Sequence, residues 1–229
     1  MWKPLLLFCS LLPFTSCAVQ YAAAIWSTES NYYNVYNCIS RNNITMMFPE
    51  LLARGSVNYD PIDRISEVYT QPSMAIVGGI WRPVTSQDVE WRAFDNVRDL
   101  ITVLEKNKIP VKTHFVKVVQ AGGSWSTNQT TNIQAINAFL ANGIKFGFDM
   151  GIYTSSRDWA AVTGNTLNVP VKLPLWYIND GGGVGQDTPD NFDDFVPFGP
   201  FTRDHVVMKQ FSNNAQVCHS VISRSVYYV

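Results

Sequence analysis

The sequence predicts a single α/β domain with a largely parallel β-sheet. Apolar segments of strand length alternate with segments of helical periodicity from residue 20 to the end of the chain. Such alternation is typical of α/β proteins, in which helices connect parallel strands. Because no linker, charge run, low-complexity tract or repeat divides the sequence, one domain is the simplest interpretation. A doubly wound sheet and a closed barrel both fit this pattern.

The N-terminal half begins with an apolar strand, Gln20–Trp26, and a helical pattern over Asn31–Ser40. A second helix is predicted over Pro61–Tyr69, followed by a strand over Met74–Trp81. The clearest element is the helix Asp88–Lys106, whose apolar residues recur at spacings of three and four.

The C-terminal half continues the alternation. A strand over Thr113–Val119 precedes a helix over Thr131–Asn142, which a left-handed cap at Gly143 would end. A strand over Ile144–Thr154 and a short helix over Arg157–Val162 follow. Three further strands complete the prediction: Leu173–Ile178, Val206–Phe211 and Ser225–Val229.

Composition excludes several classes of protein. The 229 residues are 46% hydrophobic, 13% aromatic and 15% charged, too apolar for a disordered chain. The sequence lacks the runs of roughly 18 apolar residues that a multi-span membrane protein needs. A formal net charge of −1 argues against a broad nucleic-acid-binding surface. We therefore expect a globular protein with neither a membrane span in its mature form nor a nucleic-acid partner.

The first 18 residues have the pattern of a secretory signal peptide. Lys3 supplies a positive charge, Pro4–Phe14 is a short apolar run, and Ser16 and Ala18 are small residues at the usual positions before a cleavage site. The apolar run is too short to cross a bilayer. A buried N-terminal helix is the alternative. We expect cleavage near Ala18, a domain at residues 19–229 and a secreted, extracellular protein.

Cleavage would leave two of the four cysteines, Cys38 and Cys218. In an oxidising compartment each has one possible intramolecular partner, and a bridge that closes so long a loop stabilises by up to about 5 kcal/mol in the chain-entropy model. Two free buried thiols are the alternative. Asn43 and Asn128 each begin an Asn-x-Thr sequon, so both are predicted glycosylation sites.

Three stretches of the C-terminal third carry a family resemblance when they are read together. They are Gly151–Ser155 with Trp159 and Gly164, then Pro174–Tyr177 followed by Phe192–Gly199, and finally Met208–Phe211 with Cys218 and Tyr227-Tyr228. Their order and spacing resemble the glycoside hydrolase family 25 lysozymes, particularly those of nematodes. Fainter similarity covers Tyr21–Ser27, Arg54-Gly55, Ile76–Pro83 and Val118–Ser126. The resemblance implies an irregular (β/α) TIM-type barrel, a ligand groove at the carboxyl ends of its strands, and pairing of the two remaining cysteines.

Hydrolysis of a glycosidic bond usually needs a carboxylic acid as proton donor and a second carboxylate near the oxocarbenium-like centre. The glycoside hydrolase family 25 lysozymes, which this sequence resembles, place such acids at strand ends. Here the matching positions hold Ala24 on the first strand, Gly78 on the third, and Val118 and Gln120 on a later one. A shift in alignment cannot supply the last pair, since no Asp or Glu occurs between Glu105 and Asp149. We therefore expect a pseudoenzyme, and we assign no catalytic residue.

Several polar and aromatic residues remain candidates for the groove. Asp180 follows a strand where the family keeps a groove carboxylate, and a solvated loop aspartate is the alternative. Asp149 alternates with apolar neighbours, which favours a hydrogen-bonding role inside the barrel. Gln120 is able to bind a sugar oxygen but not to donate a proton near neutral pH. Sugar stacking and barrel packing are the two interpretations for the aromatic candidates, Trp81, Trp176 and Tyr153.

We expect a secreted, monomeric lysozyme-like protein that acts in defence against bacteria. It would act by binding glycan or peptidoglycan, or as a regulatory factor. An active muramidase with relocated acids, such as Asp180 and Asp149, is one alternative, and a secreted structural protein without sugar affinity is another. The scattered histidines predict no metal site, and no cofactor is expected.

Overall fold

The computed structural model describes residues 18–25, 38–53, 55–68, 75–76, 78–85, 88–122, 125–170, 172–182, 186–218 and 220–228. The predicted signal peptide, apart from Ala18, and most of the predicted helix Asn31–Ser40 lie outside these residues. No helix in the described ranges has the length and apolar character that a membrane crossing requires.

Ten strands are present among these residues: β1 Val19–Ile25, β2 Ile44–Ala53, β3 Ser56–Val57, β4 Ala75–Ile76, β5 Gly78–Trp81, β6 Thr113–Val118, β7 Asp149–Thr154, β8 Leu175–Ile178, β9 Val206–Val217 and β10 Ser220–Tyr228. Eight of them close into a barrel in the order β1, β10, β9, β8, β7, β6, β5 and β2, with β2 pairing back to β1. All neighbours are parallel except β10, which is antiparallel to both β1 and β9. The barrel alternative is therefore confirmed, and the doubly wound sheet is wrong.

In the described part of the chain, four α-helices are complete, α1 Tyr59–Val68, α2 Val89–Lys106, α3 Gln129–Lys145 and α4 Ser156–Thr163, and residues 38–41 before β2 are also helical. Asn128 caps α3 by accepting a hydrogen bond from the backbone of Thr130. Ser155 caps α4 in the same way, through the backbone of Asp158. Because α4 begins two residues after β7 ends, its first turn lies at the carboxyl end of the strands.

The barrel wall separates two apolar clusters. The inner cluster fills the lumen with Ala22, Ala24, Phe48, Ile80, Phe115, Tyr153, Trp176, Met208 and Tyr227. The outer cluster packs the opposite face of the strands against the helices. Alternation along each strand produces this division, since successive side chains point to opposite faces. Because large side chains fill the lumen, the open ends of the barrel are left for polar groups.

Strand β2 was not predicted from the sequence. Pro49 and Glu50 interrupt its apolar run, and both residues normally argue against a strand interior. Here Pro49 lies opposite Ile25 in the parallel pairing that closes the barrel. The predicted boundary between α3 and β7 was wrong, because α3 continues through Gly143 to Lys145 and the strand begins only at Asp149. The last two strands are longer than predicted, since β9 extends to Val217 and β10 begins at Ser220.

The disulfide between Cys38 and Cys218 is confirmed, with Cα atoms 5.7 Å apart and a sequence separation of 180. It joins the segment before β2 to the turn between β9 and β10. It therefore ties the start of the barrel to the antiparallel hairpin that completes it.

Candidate functional site

Polar side chains lie directly above the inner cluster at the carboxyl ends of the strands. Glu50 comes two residues after Phe48 on β2, Lys117 two residues after Phe115 on β6, and Gln210 two residues after Met208 on β9. Each therefore faces the lumen like its apolar predecessor. We call the following set the barrel mouth: Glu50, Arg82, Lys117, Tyr153, Asp158, Asp180 and Gln210.

A bidentate ion pair occupies one side of the barrel mouth. Arg82 Nε lies 2.6 Å from Glu50 Oε1, and Arg82 Nη2 lies 2.6 Å from Glu50 Oε2. Arg82 Nη1 also donates to the carbonyl oxygen of Gly122 at 3.3 Å. Glu50 is 6% exposed, and both of its carboxylate oxygens accept from the Arg82 guanidinium.

Lys117 lies beside this pair. Arg82 follows Trp81, whose register partner on β6 is Val116, so Arg82 and Lys117 are neighbours across β5 and β6. The Lys117 ammonium is 5.8 Å from the centroid of the Tyr153 ring. Burial lowers the pKa of Lys117 to about 8, against the opposing attraction of Glu50 and Asp158 and with the repulsion of Arg82. The barrel mouth thus holds a cation whose charge is disfavoured by its surroundings.

A hydrogen-bonded chain crosses the opposite side. The Tyr153 hydroxyl donates to Gln210 Oε1, and Gln210 Nε2 donates to Asp180 Oδ2 at 2.6 Å. The backbone N–H of Gly182 donates to Asp180 Oδ1 at 3.1 Å. Burial, reinforced by the charge of Asp180, raises the pKa of Tyr153 well above its ordinary value. Tyr153 therefore remains a protonated donor, and Asp180 is held as an acceptor at the rim.

The third carboxylate of the barrel mouth belongs to α4. Asp158 accepts from the Gln120 backbone N–H at 2.9 Å and from the Ser155 hydroxyl at 2.6 Å. These contacts fix Gln120, two residues after β6, to the start of α4. They leave the Gln120 side chain exposed to solvent at the rim.

The segment that follows Asp180 is anchored on the outer face of the barrel. Lys209 donates to the Pro189 carbonyl and to Asp194 Oδ2, both at 2.6 Å. Asp194 also accepts from the Tyr177 hydroxyl and, at 2.8 Å, from Asn179 Nδ2. We call Lys209, Asp194, Tyr177 and Asn179 the loop anchor. It fixes residues 186–195 next to the strand that precedes Asp180.

Two of the four positions matched to family acids lie elsewhere than the sequence predicted. Gly78 is at the amino end of β5, where a Cβ atom would lie 1.6 Å from the Thr113 carbonyl oxygen. Arg82, directly after that strand, is the residue that reaches the barrel mouth. Val118 packs in the outer cluster, so the lumen-facing residue at the end of β6 is Lys117. Val118 thus fails through register, since a shift of one residue moves a side chain to the other face, and Gly78 fails because it lies at the wrong end of its strand.

Ala24 and Gln120 lie at or after the carboxyl ends of their strands. Ala24 faces the lumen at the second-to-last position of β1, opposite Phe48. Its methyl group has no acid–base chemistry. Gln120 follows β6 at the rim, and its amide is exposed.

Three groove candidates are corrected by their burial or position. Trp176 has no exposed surface, and its Nε1 donates to the Ser225 hydroxyl, so it fills the lumen rather than facing a sugar. Trp81 is equally buried, on the outer face, against His114 and Phe148. Asp149 is exposed at the amino end of β7, which excludes both the barrel interior and the groove.

Asp180 and Tyr153 are the candidates that the structure brings together, through Gln210. The sequence analysis missed Glu50, Arg82 and Lys117. The alternation of Phe115 with Lys117 was a visible signal for the lysine. Among the described residues, no group of three or more His, Cys, Asp or Glu side chains is placed to hold a metal ion.

Several known proteins are similar to this chain in sequence. A family model described as Lysozyme-like protein 1 matches residues 17–211. Lysozyme-like protein 2 of Caenorhabditis elegans is 34% identical over 153 residues, which are 66% of this chain and 54% of that protein. Probable GH family 25 lysozyme 5 of Dictyostelium discoideum is 27% identical over 135 residues, 53% of this chain and 58% of that protein. The chain spans about half the length of the curated relatives that it matches.

Solved structures share the barrel. The autolysin LytC from Streptococcus pneumoniae, in complex with a synthetic peptidoglycan ligand, has a TM-score of 0.63 and 12% identity, covering 92% of this chain and 47% of that one. The muramidase from Trichobolus zukalii has a TM-score of 0.59 and 14% identity, covering 92% and 93%. At these identities the likeness shows the fold alone. With the family match over most of its length and a closed barrel of the same type, this chain belongs to the lysozyme-like family, of the glycoside hydrolase family 25 kind.

Proposed function

We propose that this protein is a secreted, catalytically degenerate lysozyme-like protein that binds cell-wall glycan at the barrel mouth in defence against bacteria. One observation carries the proposal. Ala24 faces the lumen at the end of β1 and Lys117 faces it at the end of β6, so neither strand end carries a carboxyl group of the kind that glycosidases use. A methyl group and an ammonium group do not form the required acid pair.

The carboxylates that are present at the barrel mouth favour binding over catalysis. Glu50, Asp158 and Asp180 each accept two hydrogen bonds from protein donors. These bonds orient each carboxylate toward its protein partners, whereas a catalytic acid must lie within hydrogen-bond reach of the leaving oxygen. Because a single acid–base group contributes about 10²–10⁴-fold to the rate, loss of the acid pair leaves little hydrolysis.

The same groups suit a carbohydrate. Asp180 offers acceptor oxygens at the rim, and the Gln120 amide offers both a donor and an acceptor. The lysozyme-like relatives and the peptidoglycan ligand of the autolysin support cell-wall glycan as the ligand class. The predicted signal peptide and the disulfide support an oxidising, extracellular location.

The test uses residues 19–229, produced with the disulfide formed. We expect the protein to be retained on insoluble peptidoglycan and to release no new reducing ends from it. Asp180→Asn should weaken retention, since an amide replaces one acceptor oxygen with a donor. Asp149→Asn, at the opposite end of the barrel, is the matched control and should not. Turnover typical of a lysozyme would contradict degeneracy, and absence of retention would favour a structural role without sugar affinity.

One alternative retains support from the geometry. Asp180 and Glu50 both lie at the barrel mouth, so an active muramidase with relocated acids is the second candidate. It predicts measurable release of reducing ends that Asp180→Asn abolishes. Asp149, the other acid first considered for this role, is removed from it by its position.

A further inference from the structure

Asp180, the rim carboxylate proposed to accept from glycan, directly follows a residue of the loop anchor. Side chains of β8 alternate between the outer cluster, which contains Tyr177, and the inner cluster, against which Ile178 packs. The same alternation directs Asn179 to the outer face and Asp180 to the barrel mouth. Two neighbouring residues therefore lie on opposite sides of the barrel wall.

Three polar groups of Asn179 are held by segments outside its own strand. Its backbone N–H donates to the Gln210 carbonyl at 3.0 Å, and its carbonyl accepts from the Thr188 hydroxyl. Its side-chain Nδ2 donates to Asp194 Oδ2 at 2.8 Å. Because these partners come from three different places, they fix both the position and the orientation of Asn179.

The chain on the other side of Asp180 restricts it much less. Gly181 and Gly182 follow, with φ angles of 70° and 79°. Glycine restricts the backbone less than any other residue and adopts such positive angles at little cost. Hydrogen bonds from Gly182 and Gln210 orient the Asp180 carboxylate once its backbone is in place. The backbone of Asp180 is therefore set mainly by the residue that precedes it.

The loop that begins at Asp180 returns to the barrel at Thr188. The Thr188 hydroxyl holds the Asn179 carbonyl, and the Thr188 backbone N–H donates to the Phe211 carbonyl at 2.9 Å. The loop is thus closed at its base, and Asn179 takes part in the closure.

We infer that Asn179 is a positioning residue for Asp180, and that through it the loop anchor raises the affinity of the barrel mouth for glycan. The inference rests on the proposed function and names what controls binding at that same site. Asp194, which holds the Asn179 side chain, is itself held by Lys209 at 2.6 Å and by the Tyr177 hydroxyl. A carboxylate that is already oriented loses less freedom when a ligand binds, so it binds more tightly.

The first variant removes one contact and leaves the backbone bonds in place. Asn179→Ala deletes the hydrogen bond to Asp194. In residues 19–229 we expect binding to insoluble peptidoglycan, measured by sedimentation over a concentration series, to weaken about three- to tenfold. Asn191→Ala is the matched control, since Asn191 lies in the same loop and accepts from the Asp193 backbone within it, at 3.1 Å. It should leave binding unchanged.

A double-mutant cycle separates positioning from general damage. If Asn179 acts through Asp180, Asn179→Ala should weaken binding no further once Asp180→Asn is present. Independent effects would multiply instead, and that result overturns the inference. Binding of Asn179→Ala as tight as that of the wild-type protein overturns it as well. Thermal unfolding of each variant shows whether the fold is retained.

Thr188 gives a second test that leaves the Asn179 side chain intact. Thr188→Val removes the hydroxyl that holds the Asn179 carbonyl but keeps the shape of the side chain, so it should also weaken binding. Thr188→Ser keeps the hydroxyl and should bind like the wild-type protein. Equal binding by the valine and serine variants contradicts a role for this contact.

NMR observes the positioning of Asp180 without any ligand. The Gln210 side-chain amide donates to Asp180 Oδ2 at 2.6 Å, and Asp180→Asn supplies the spectrum of the altered contact. Asn179→Ala should move the Gln210 amide signal and speed its hydrogen exchange, whereas Asn191→Ala should do neither. An unchanged signal in Asn179→Ala overturns the positioning role. If the wild-type protein is not retained on peptidoglycan, the proposed function and the effect on affinity fail together, and the NMR comparison still decides whether Asn179 positions Asp180.

Discussion

Two lysines on opposite faces of the barrel wall show how position decides the role of a buried charge. Lys209, on the outer face of β9, has no exposed side-chain surface and is held by Asp194 and the Pro189 carbonyl in the loop anchor. Lys117, on the lumen face of β6, lies in the barrel mouth, where burial lowers its pKa to about 8. The fold gives Lys209 two acceptors, whereas at Lys117 burial outweighs the attraction of Glu50 and Asp158 for the charge. A titratable group whose pKa is shifted in a groove is a candidate for a binding site.

The largest expected effect concerns the loop anchor. Lys209→Met should reduce the free energy of unfolding by about 3 kcal/mol, because it leaves Asp194 without its cation and the Pro189 carbonyl without its donor. Urea unfolding measures this loss, and limited proteolysis should show faster cleavage within residues 186–195. Adding Asp194→Asn should recover part of the stability. A loss no larger than that of Lys117→Met would contradict the distinction between the two lysines.

A buried base without a charged partner extends the comparison. His114 is fully buried between Trp81 and Phe148, and burial lowers its pKa to about 3. Because the unfolded state takes up a proton near pH 6.5 and the folded state does not, stability should fall as pH decreases from 6.5 toward 3. The loss should reach roughly 2–4 kcal/mol near pH 3. His114→Leu should flatten this dependence in unfolding measured between pH 7 and pH 4, and equal slopes in both proteins would contradict the assignment.

Much of the fold was predictable because its signals are local. Apolar periodicity located α2 and β6 within a residue or two, and the resemblance supplied the barrel that periodicity left open. Strand β2 escaped because a proline and a glutamate interrupt it, and both are tolerated only through barrel closure and the Arg82 pair. The end of α3 was misplaced because Gly143, a helix terminator by its own preference, packs against Met150.

The site was less predictable than the fold because it depends on strand register. The absence of acids between Glu105 and Asp149 was visible in the sequence, and so was the candidate Asp180. Which residue of a strand faces the lumen was not, and a one-residue error selected Val118 instead of Lys117. Aromatic residues misled for a different reason. Tryptophan side chains often stack on sugar rings, but Trp176 and Trp81 are fully buried here and pack inside the protein.

The smallest expected effect returns to Lys117 and is the sharpest test of the comparison. Its folded-state pKa, about 8, lies below the unfolded value of 10.5, so the folded protein releases this proton first as pH rises. Stability should therefore increase between pH 8 and pH 10.5, the reverse of what a compensated cation produces. Replacing the charge with a methionine of similar length removes the penalty, so Lys117→Met should leave the free energy of unfolding at pH 7 unchanged or raise it by about 1 kcal/mol. Urea unfolding at pH 7 and pH 10 checks both statements, with Lys209→Met as the destabilised counterpart. A loss of 2 kcal/mol or more in Lys117→Met would show that this lysine stabilises the fold, and would contradict the penalty that burial imposes on its charge.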